Sequence, residues 1–248
     1  MRYLGGKVRL AKELAAKIVE YIPFGGTYVE PFCGGCAVAI KVREYRPDVK
    51  IICNDLHPYL IALLRGVADG SFEPPSSLSE EEYQYIKAHK DENPALAGFA
   101  GFGCAFLGHW FHPYARQYAG GDIPLHEKHY RRPVAAICRD SLLTDFRASS
   151  IQFYNVDYRA LDIPEGAVVY CDPPYKTGTQ YPGIPPFDYP AYMRWVKELA
   201  KTHDVFMSEY ESNVEPDANI IWRKEYAGNA RTGDQKTCPR RVDVLVKL

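Results

Sequence analysis

The chain has 248 residues, 46% hydrophobic and 25% charged, which places it among ordinary globular proteins able to bury an α/β core. A formal net charge of -1 excludes a protein that coats nucleic acid through global charge, so any nucleic-acid contact has to come from a local basic face. No apolar run approaches the roughly 18 residues of a bilayer span, the N-terminus lacks the apolar region of a signal peptide, and the seven cysteines are scattered rather than set out as a disulfide framework; a soluble, intracellular, reducing setting is expected.

Val8, Leu10, Ala11, Leu14, Ala15, Ile18 and Val19 recur at helical spacing and predict an opening amphipathic helix over about 7–21. Thr27-Tyr28-Val29-Glu30-Pro31-Phe32 reads as a strand, Gly34-Gly35 as a turn and about 36–45 as a helix. A second strand, Lys50-Ile51-Ile52-Cys53, leads through Asn54-Asp55 into a helix over about 58–68, and this alternation predicts a parallel sheet with crossover helices. Pro74-Pro75-Ser76-Ser77 then breaks the pattern, and Ser79 with Glu82 forms a capping box for a helix rich in Glu, Tyr and Lys. Residues 98–121 are dense in glycine and aromatics with no clean period and are expected to be irregular.

A helix over about 134–147 follows, and the strand pattern resumes at Ile151-Gln152-Phe153-Tyr154. Ala167-Val168-Val169-Tyr170-Cys171 is a strand ending at Asp172, about 189–202 an amphipathic helix, and Val205-Phe206-Met207, Ile220-Ile221-Trp222 and Val242-Asp243-Val244-Leu245-Val246 are three more strands. The total is seven, the last two expected to pair as a hairpin on an otherwise parallel sheet. The expected organisation is one domain of residues 1–72 and 150–248, carrying an insert of 73–149 with its boundary near residue 72.

The strongest chemical signal is Asp172-Pro173-Pro174-Tyr175 directly after a buried strand, where an open α/β sheet holds its ligands. The prolines remove backbone donors and leave carbonyls that only accept, and an ionised Asp172 also only accepts. A carboxylate and a proline carbonyl side by side suit an amino group with two N–H donors, and Tyr175 offers a face for a base to stack on. Taken alone, the tetrapeptide reads equally well as a strand terminator.

Gly5-Gly6-Lys7, Glu30-Pro31-Phe32-Cys33-Gly34-Gly35, Asn54-Asp55 and Asp172-Pro173-Pro174-Tyr175 occur in the order seen in the Dam-like DNA adenine methyltransferases, and the chain resembles most closely their short phage and prophage forms. The resemblance covers about 1–70 and 150–248. It implies a Rossmann-like S-adenosylmethionine-dependent methyltransferase fold, with the insert as a small target-recognition domain. It also implies site-specific transfer of a methyl group from S-adenosylmethionine to the N6 nitrogen of a flipped-out adenine in double-stranded DNA, in the bacterial or phage-infected cytoplasm. Asp172, Pro173 and Tyr175 would be catalytic; Tyr3, Lys7, Asp55 and Asp172 would line the cofactor site, joined by Pro31, Phe32, Gly34 and Gly35 of the glycine motif. A monomer without metal is expected.

The residues read independently toward the same end. A strand, a glycine turn and a helix N-terminus bring backbone N–H groups to a ligand, here the methionine carboxylate, and Asp55 follows the second strand about 20 residues later, where a Rossmann-type fold puts an acid on ribose hydroxyls. The family often shows Phe-x-Gly-x-Gly, but Cys36 stands at the last glycine. Asp157, just past another strand, reads either as a neighbour of the cofactor's adenine or as a solvated loop acid, and Ser208-Glu209-Tyr210 either as site lining or as a surface turn. No cysteine follows a proline, which removes the nucleophile expected of carbon-5 cytosine methylation; cytosine, RNA or a protein amide remain as other amino-group targets, and a catalytically silent nucleic-acid binder as another class.

Cys33-x-x-Cys36 has redox spacing but no second pair to complete a zinc site, and His109-x-x-His112 and His126-x-x-His129 have spacing able to hold metal but read better as packing or surface residues. DNA contact is expected from two basic zones: Arg116, Lys128, Arg131, Arg132 and Arg139 in the insert, and Arg231, Lys236, Arg240 and Arg241 between the last two strands.

Overall fold

The computed structural model describes residues 6–115, 134–146, 150–175, 186–226 and 241–248. Its strands are β1 (Thr27–Glu30), β2 (Lys50–Asn54), β3 (Ile151–Tyr154), β4 (Val168–Cys171), β5 (Asp204–Tyr210), β6 (Ile220–Tyr226) and β7 (Arg241–Lys247). They form one sheet in the order β3-β2-β1-β4-β5-β7-β6. The first five strands run parallel, and β7 is antiparallel to both β5 and β6. The expected seven strands and closing hairpin are present. The order adds a point that strand spacing did not carry: β7 inserts between β5 and β6, so its beginning lies beside the end of β5, with Asp243 opposite Tyr210.

Helices α1 (Ala11–Ile18), α2 (Ala37–Tyr45), α3 (Pro58–Asp69), α4 (Glu80–Ala88), α5 (Pro94–Gly98), α6 (Val134–Phe146) and α7 (Tyr189–Leu199) surround the sheet. The opening helix is shorter than its apolar period suggested, because Val19–Tyr21 tightens into a 3₁₀ turn. Helix α3 starts with proline at its first turn, has His57 Nδ1 accepting from the Leu60 N–H at 3.4 Å, and stops at Gly70 with φ of +77°. The capping box of Ser79 and Glu82 is made in both directions and starts α4.

The stretch expected to be irregular begins with order. Asn93 caps α5, which runs into a π-helical turn over Phe99–Gly103, all five of whose residues are buried. Its glycines mark close approach rather than looseness: a Cβ on Gly98 would lie 2.1 Å from the Tyr59 carbonyl oxygen, and one on Gly101 2.3 Å from the Trp110 ring.

Strand residues alternate between two apolar clusters, as the pleat requires of strands covered on both faces. Tyr28, Ile51, Cys53, Val168, Tyr170 and Phe206 face the cluster containing Leu14, Ile18 and Val38, which continues through Leu60 and Leu64 to Tyr83, Phe99, Phe111 and Phe146. Val29, Val169, Cys171, Val205 and Met207 face the other, closed by Tyr192 and Val196 of α7. Among the described residues, no helix is long and apolar enough to cross a membrane.

Candidate active site

Because β1 to β5 are parallel, their carboxyl ends share one edge, and the segments leaving them are fastened together there. Asn54, buried at the end of β2, is the staple: its Nδ2 donates to the Pro31 and Val156 carbonyls at 3.0 Å each, and its Oδ1 accepts from the Val156 N–H at 3.0 Å. Asp55 spans the glycine turn and the start of α3, accepting from the Gly34 N–H at 3.0 Å and the His57 N–H at 2.9 Å. Desolvation raises its pKa against these two hydrogen bonds. Gly34 has φ of +47°, and Cys36, which caps α2, has φ of +56°. Phe32 forms an aromatic wall with Tyr158, Phe187 and Tyr192, ring centroids 5.1, 5.8 and 5.6 Å away.

Beside this edge lies an ion pair between residues 165 positions apart. Lys7 Nζ donates to both oxygens of Asp172, at 2.6 and 2.8 Å, and sits 4.6 Å from the ring centroid of Tyr175. The ammonium is held there because the Lys7 carbonyl accepts from Leu10 and Ala11, at 2.8 and 2.7 Å, in the turn that opens α1. Helix α1 in turn is tied to β6, where Trp222 Nε1 and Lys224 Nζ both donate to Glu13. Burial raises the Asp172 pKa from its ordinary value, and the Lys7 charge opposes that.

Three further carboxyl groups belong to the same electrostatic neighbourhood. Glu30, at the end of β1, accepts from the Tyr28 hydroxyl at 2.7 Å; burial, with the Asp172 charge adding, pushes it up to about 8. Asp243 is raised by burial against the opposing Lys7 charge, and takes the Tyr175 hydroxyl at 3.5 Å. Glu209 is buried, with the Tyr189 hydroxyl at 3.2 Å, the Tyr210 N–H at 2.8 Å and Asn213 Nδ2 at 3.0 Å on its oxygens. Tyr175 stands edge-on to Tyr210, centroids 4.6 Å apart.

The fold thus brings Lys7, Pro31, Phe32, Gly34, Gly35, Asp55, Asp172, Pro173 and Tyr175 to one edge of the sheet. Asp157 lies past the end of β3, caps a short 3₁₀ turn and is bound to the exposed Arg159 by two hydrogen bonds of 2.7 Å, which lower its pKa. Ser208, Glu209 and Tyr210 are strand residues at the site rather than a surface turn, with Ser208 Oγ 2.7 Å from the Tyr170 hydroxyl. Arg139 pairs with Glu73 and with the Pro74 carbonyl. His109 and His112 stack, centroids 4.5 Å apart. Tyr3, Arg116, His126, Lys128, His129, Arg131, Arg132, Arg231, Lys236 and Arg240, and the side chain of Arg241, lie outside the described residues.

Glu30 and Asp243 were not among the sequence candidates. Each had a signal: an acid inside an apolar strand run is a buried polar group that needs a reason.

A five-stranded parallel sheet with an antiparallel strand inserted last, and a site of convergent acceptors at its carboxyl edge, defines an α/β enzyme of the doubly wound type. Residues 3–206 match the family described as D12 class N6 adenine-specific DNA methyltransferase, and the chain belongs to that family. Its fold is the Rossmann-like α/β one. No curated protein sequence matches the chain. Among solved structures it is similar to TrmN from Thermus thermophilus at 13% identity and a TM-score of 0.36, covering 96% of this chain and 48% of that one, so the chain spans about half of that protein's length. It is also similar to a precorrin-6y C5,15-methyltransferase from Geobacter metallireducens at 7% identity and a TM-score of 0.35, covering 95% and 86%.

Proposed function

We propose that the protein methylates the N6 amino group of an adenine turned out of double-stranded DNA, with S-adenosylmethionine as donor bound along the glycine turn. The observation that carries this reading is the Lys7–Asp172–Tyr175 arrangement: a paired carboxylate, a donor-free Pro173 carbonyl and an aromatic face at the end of a central strand. The residues suit the donor. The Gly34-Gly35 turn and the start of α2 would take its carboxylate, Asp55 its ribose hydroxyls and Phe32 its base, while an added cation would favour the ionised forms of the acids around Asp172. S-adenosylmethionine supplies an electrophilic methyl group carried on a sulfonium.

The protein's part is orientation and acceptance. Asp172 and the Pro173 carbonyl each accept one N–H of the adenine amino group, fixing the nitrogen and stabilising the positive charge that grows on it. For this the Lys7 ammonium has to share the Asp172 oxygens it now holds, which their remaining lone pairs allow. Tyr175 stacks on the extruded base. Residues 73–149 serve as the target-recognition part, and the two basic zones position DNA phosphates, so affinity falls steeply with added salt.

The test is transfer of labelled methyl from S-adenosylmethionine to unmethylated DNA, followed by nucleoside analysis. N6-methyladenine in the product, and its loss in a folded Asp172→Ala variant, are expected. Label in cytosine, RNA or protein, no label at all, or near-normal activity of Asp172→Ala would each overturn the reading.

A further inference from the structure

The Cys33-x-x-Cys36 spacing supplies two ligands, and the fold supplies a third. Glu30 of β1 pairs with Cys53 of β2, and the loop after β1 folds over the end of β2, where the Cys33 N–H donates to the Asn54 carbonyl at 2.8 Å. The sulfurs of Cys33, Cys36 and Cys53 all lie within 4.8 Å of one another, and all three residues are buried. We infer that these three cysteines form a site for one thiophilic divalent d10 cation of the zinc or cadmium kind, seated behind the Gly34-Gly35 turn. The inference is independent of the methyl-transfer reading.

Geometry, chemistry and backbone each support it. Metal–sulfur bonds of about 2.3 Å in a tetrahedral shell put sulfurs about 3.8 Å apart, so the triad needs to contract by no more than about 1 Å. The Gly34 carbonyl oxygen is 3.8 Å from Cys33 Sγ and 3.9 Å from Cys36 Sγ, close enough to offer a fourth donor between them. Three soft donors select zinc, cadmium or cuprous copper over magnesium or calcium. Among these a divalent ion is favoured, because three thiolates around a monovalent one leave two uncompensated negative charges in a buried site. Cys36 also holds a left-handed backbone, φ of +56°, that costs an L-residue and is free for glycine. A cysteine at that position places its sulfur in the triad.

Binding exchanges three thiol protons for one cation, and no electrons move. The cation would clamp the turn between β1 and α2 to the end of β2, fixing the backbone on either side of Gly34-Gly35.

The experiment titrates the reduced, metal-stripped full chain with Cd²⁺ alone, following the ultraviolet thiolate-to-cadmium band and proton release in weak buffer. Saturation at about one equivalent with about three protons released is expected, with Zn²⁺ competing for the same site. Cys36→Gly suits the local backbone and removes one sulfur; it should weaken binding at least about tenfold, the loss already typical of removing a ligand's outer-shell partner. Cys53→Ser removes the ligand from the strand side and should do the same, so misfolding of one variant leaves the other decisive. No band in the wild type, a band undiminished in both variants, or a band lost only on replacing Cys238 or the His109 and His112 pair would overturn the site.

Discussion

Glu30→Gln replaces a buried acid by its uncharged isostere while keeping an oxygen for the Tyr28 hydroxyl. In the folded protein Glu30 titrates at about 8 rather than at the ordinary 4.5, chiefly because burial withdraws water from the charged form. The folded state therefore holds a proton that the unfolded state has released, and stability falls as pH rises from 4.5 through 8. At pH 7 the interval is 2.5 units above 4.5, which corresponds to about 3 kcal/mol. The uncharged amide incurs no such cost, so the variant should be more stable than the parent by a margin that vanishes below pH 4.5 and widens by roughly 1.4 kcal/mol per unit up to about 8. Urea unfolding of both proteins at several values between pH 5 and 8.5 measures it. Asp55, Asp172 and Asp243 are also raised and are present in both proteins, so much of their contribution cancels in the difference. A difference that is flat with pH, or a variant that loses ground as pH rises, would show that Glu30 is ionised in the fold and refute the argument.

Lys7→Met removes the charge that opposes desolvation of Asp172, so the Asp172 pKa rises further and the acid limb of kcat/KM against pH moves to higher pH; an unmoved limb would separate Lys7 from Asp172 function. Tyr175→Ala takes away the proposed stacking face and should weaken DNA binding by about 1–3 kcal/mol as well as slow transfer, measured by titration with an unmethylated duplex and by single turnover. His57 titrates at about 4 because it is buried, so the parent loses stability as pH falls from 6.5 toward 4, by about 2 kcal/mol at pH 5. His57→Asn keeps a capping acceptor for α3 and should flatten that acid limb in thermal unfolding; an unchanged limb would place the sensitivity elsewhere. Gly98→Ala drives a methyl against the Tyr59 carbonyl and should cost several kcal/mol in urea unfolding, against about 1 kcal/mol of gain expected of an unhindered helical glycine.

Strand positions were legible because each central strand is covered on both faces and reads as a β-branched run closed by Pro, Asn or Asp. The site's loops followed, since parallel strands put every such closing residue on one edge. Two kinds of information were absent. The insertion of β7 between β5 and β6 is a pairing choice with no local signature, and it alone brings Asp243 to Tyr175. The glycines of 98–103 looked like loop formers because composition does not distinguish flexibility from contact; Gly98 and Gly101 are instead places where Tyr59 and Trp110 approach the backbone. The thiol triad was hidden for the same reason as Asp243, two of its members being close in sequence and the third supplied by a neighbouring strand.

The charge arrangement gives the proposed reaction a direction. Glu30, Asp172 and Asp243 are all held above their ordinary pKa values by burial, and the Lys7 charge opposes this at Asp172 and Asp243. A second positive charge set among these acids would favour their ionised forms, Glu30's included, and the lower surrounding dielectric strengthens that coupling. In the proposed transfer Asp172 would hold the amino nitrogen while positive charge grows on it, and that charge would then leave as a proton. The acids would thus favour a charged donor over a neutral product, and the Lys7 ammonium, which bonds both Asp172 oxygens, would reclaim them as the charge departs. An acceptor permanently neutralised by a closer cation would hold the adenine less well, and one with no cation would have its pKa raised further by burial and accept less readily. A partner held across 165 residues by the first turn of α1, and able to share both oxygens, lies between those two failures.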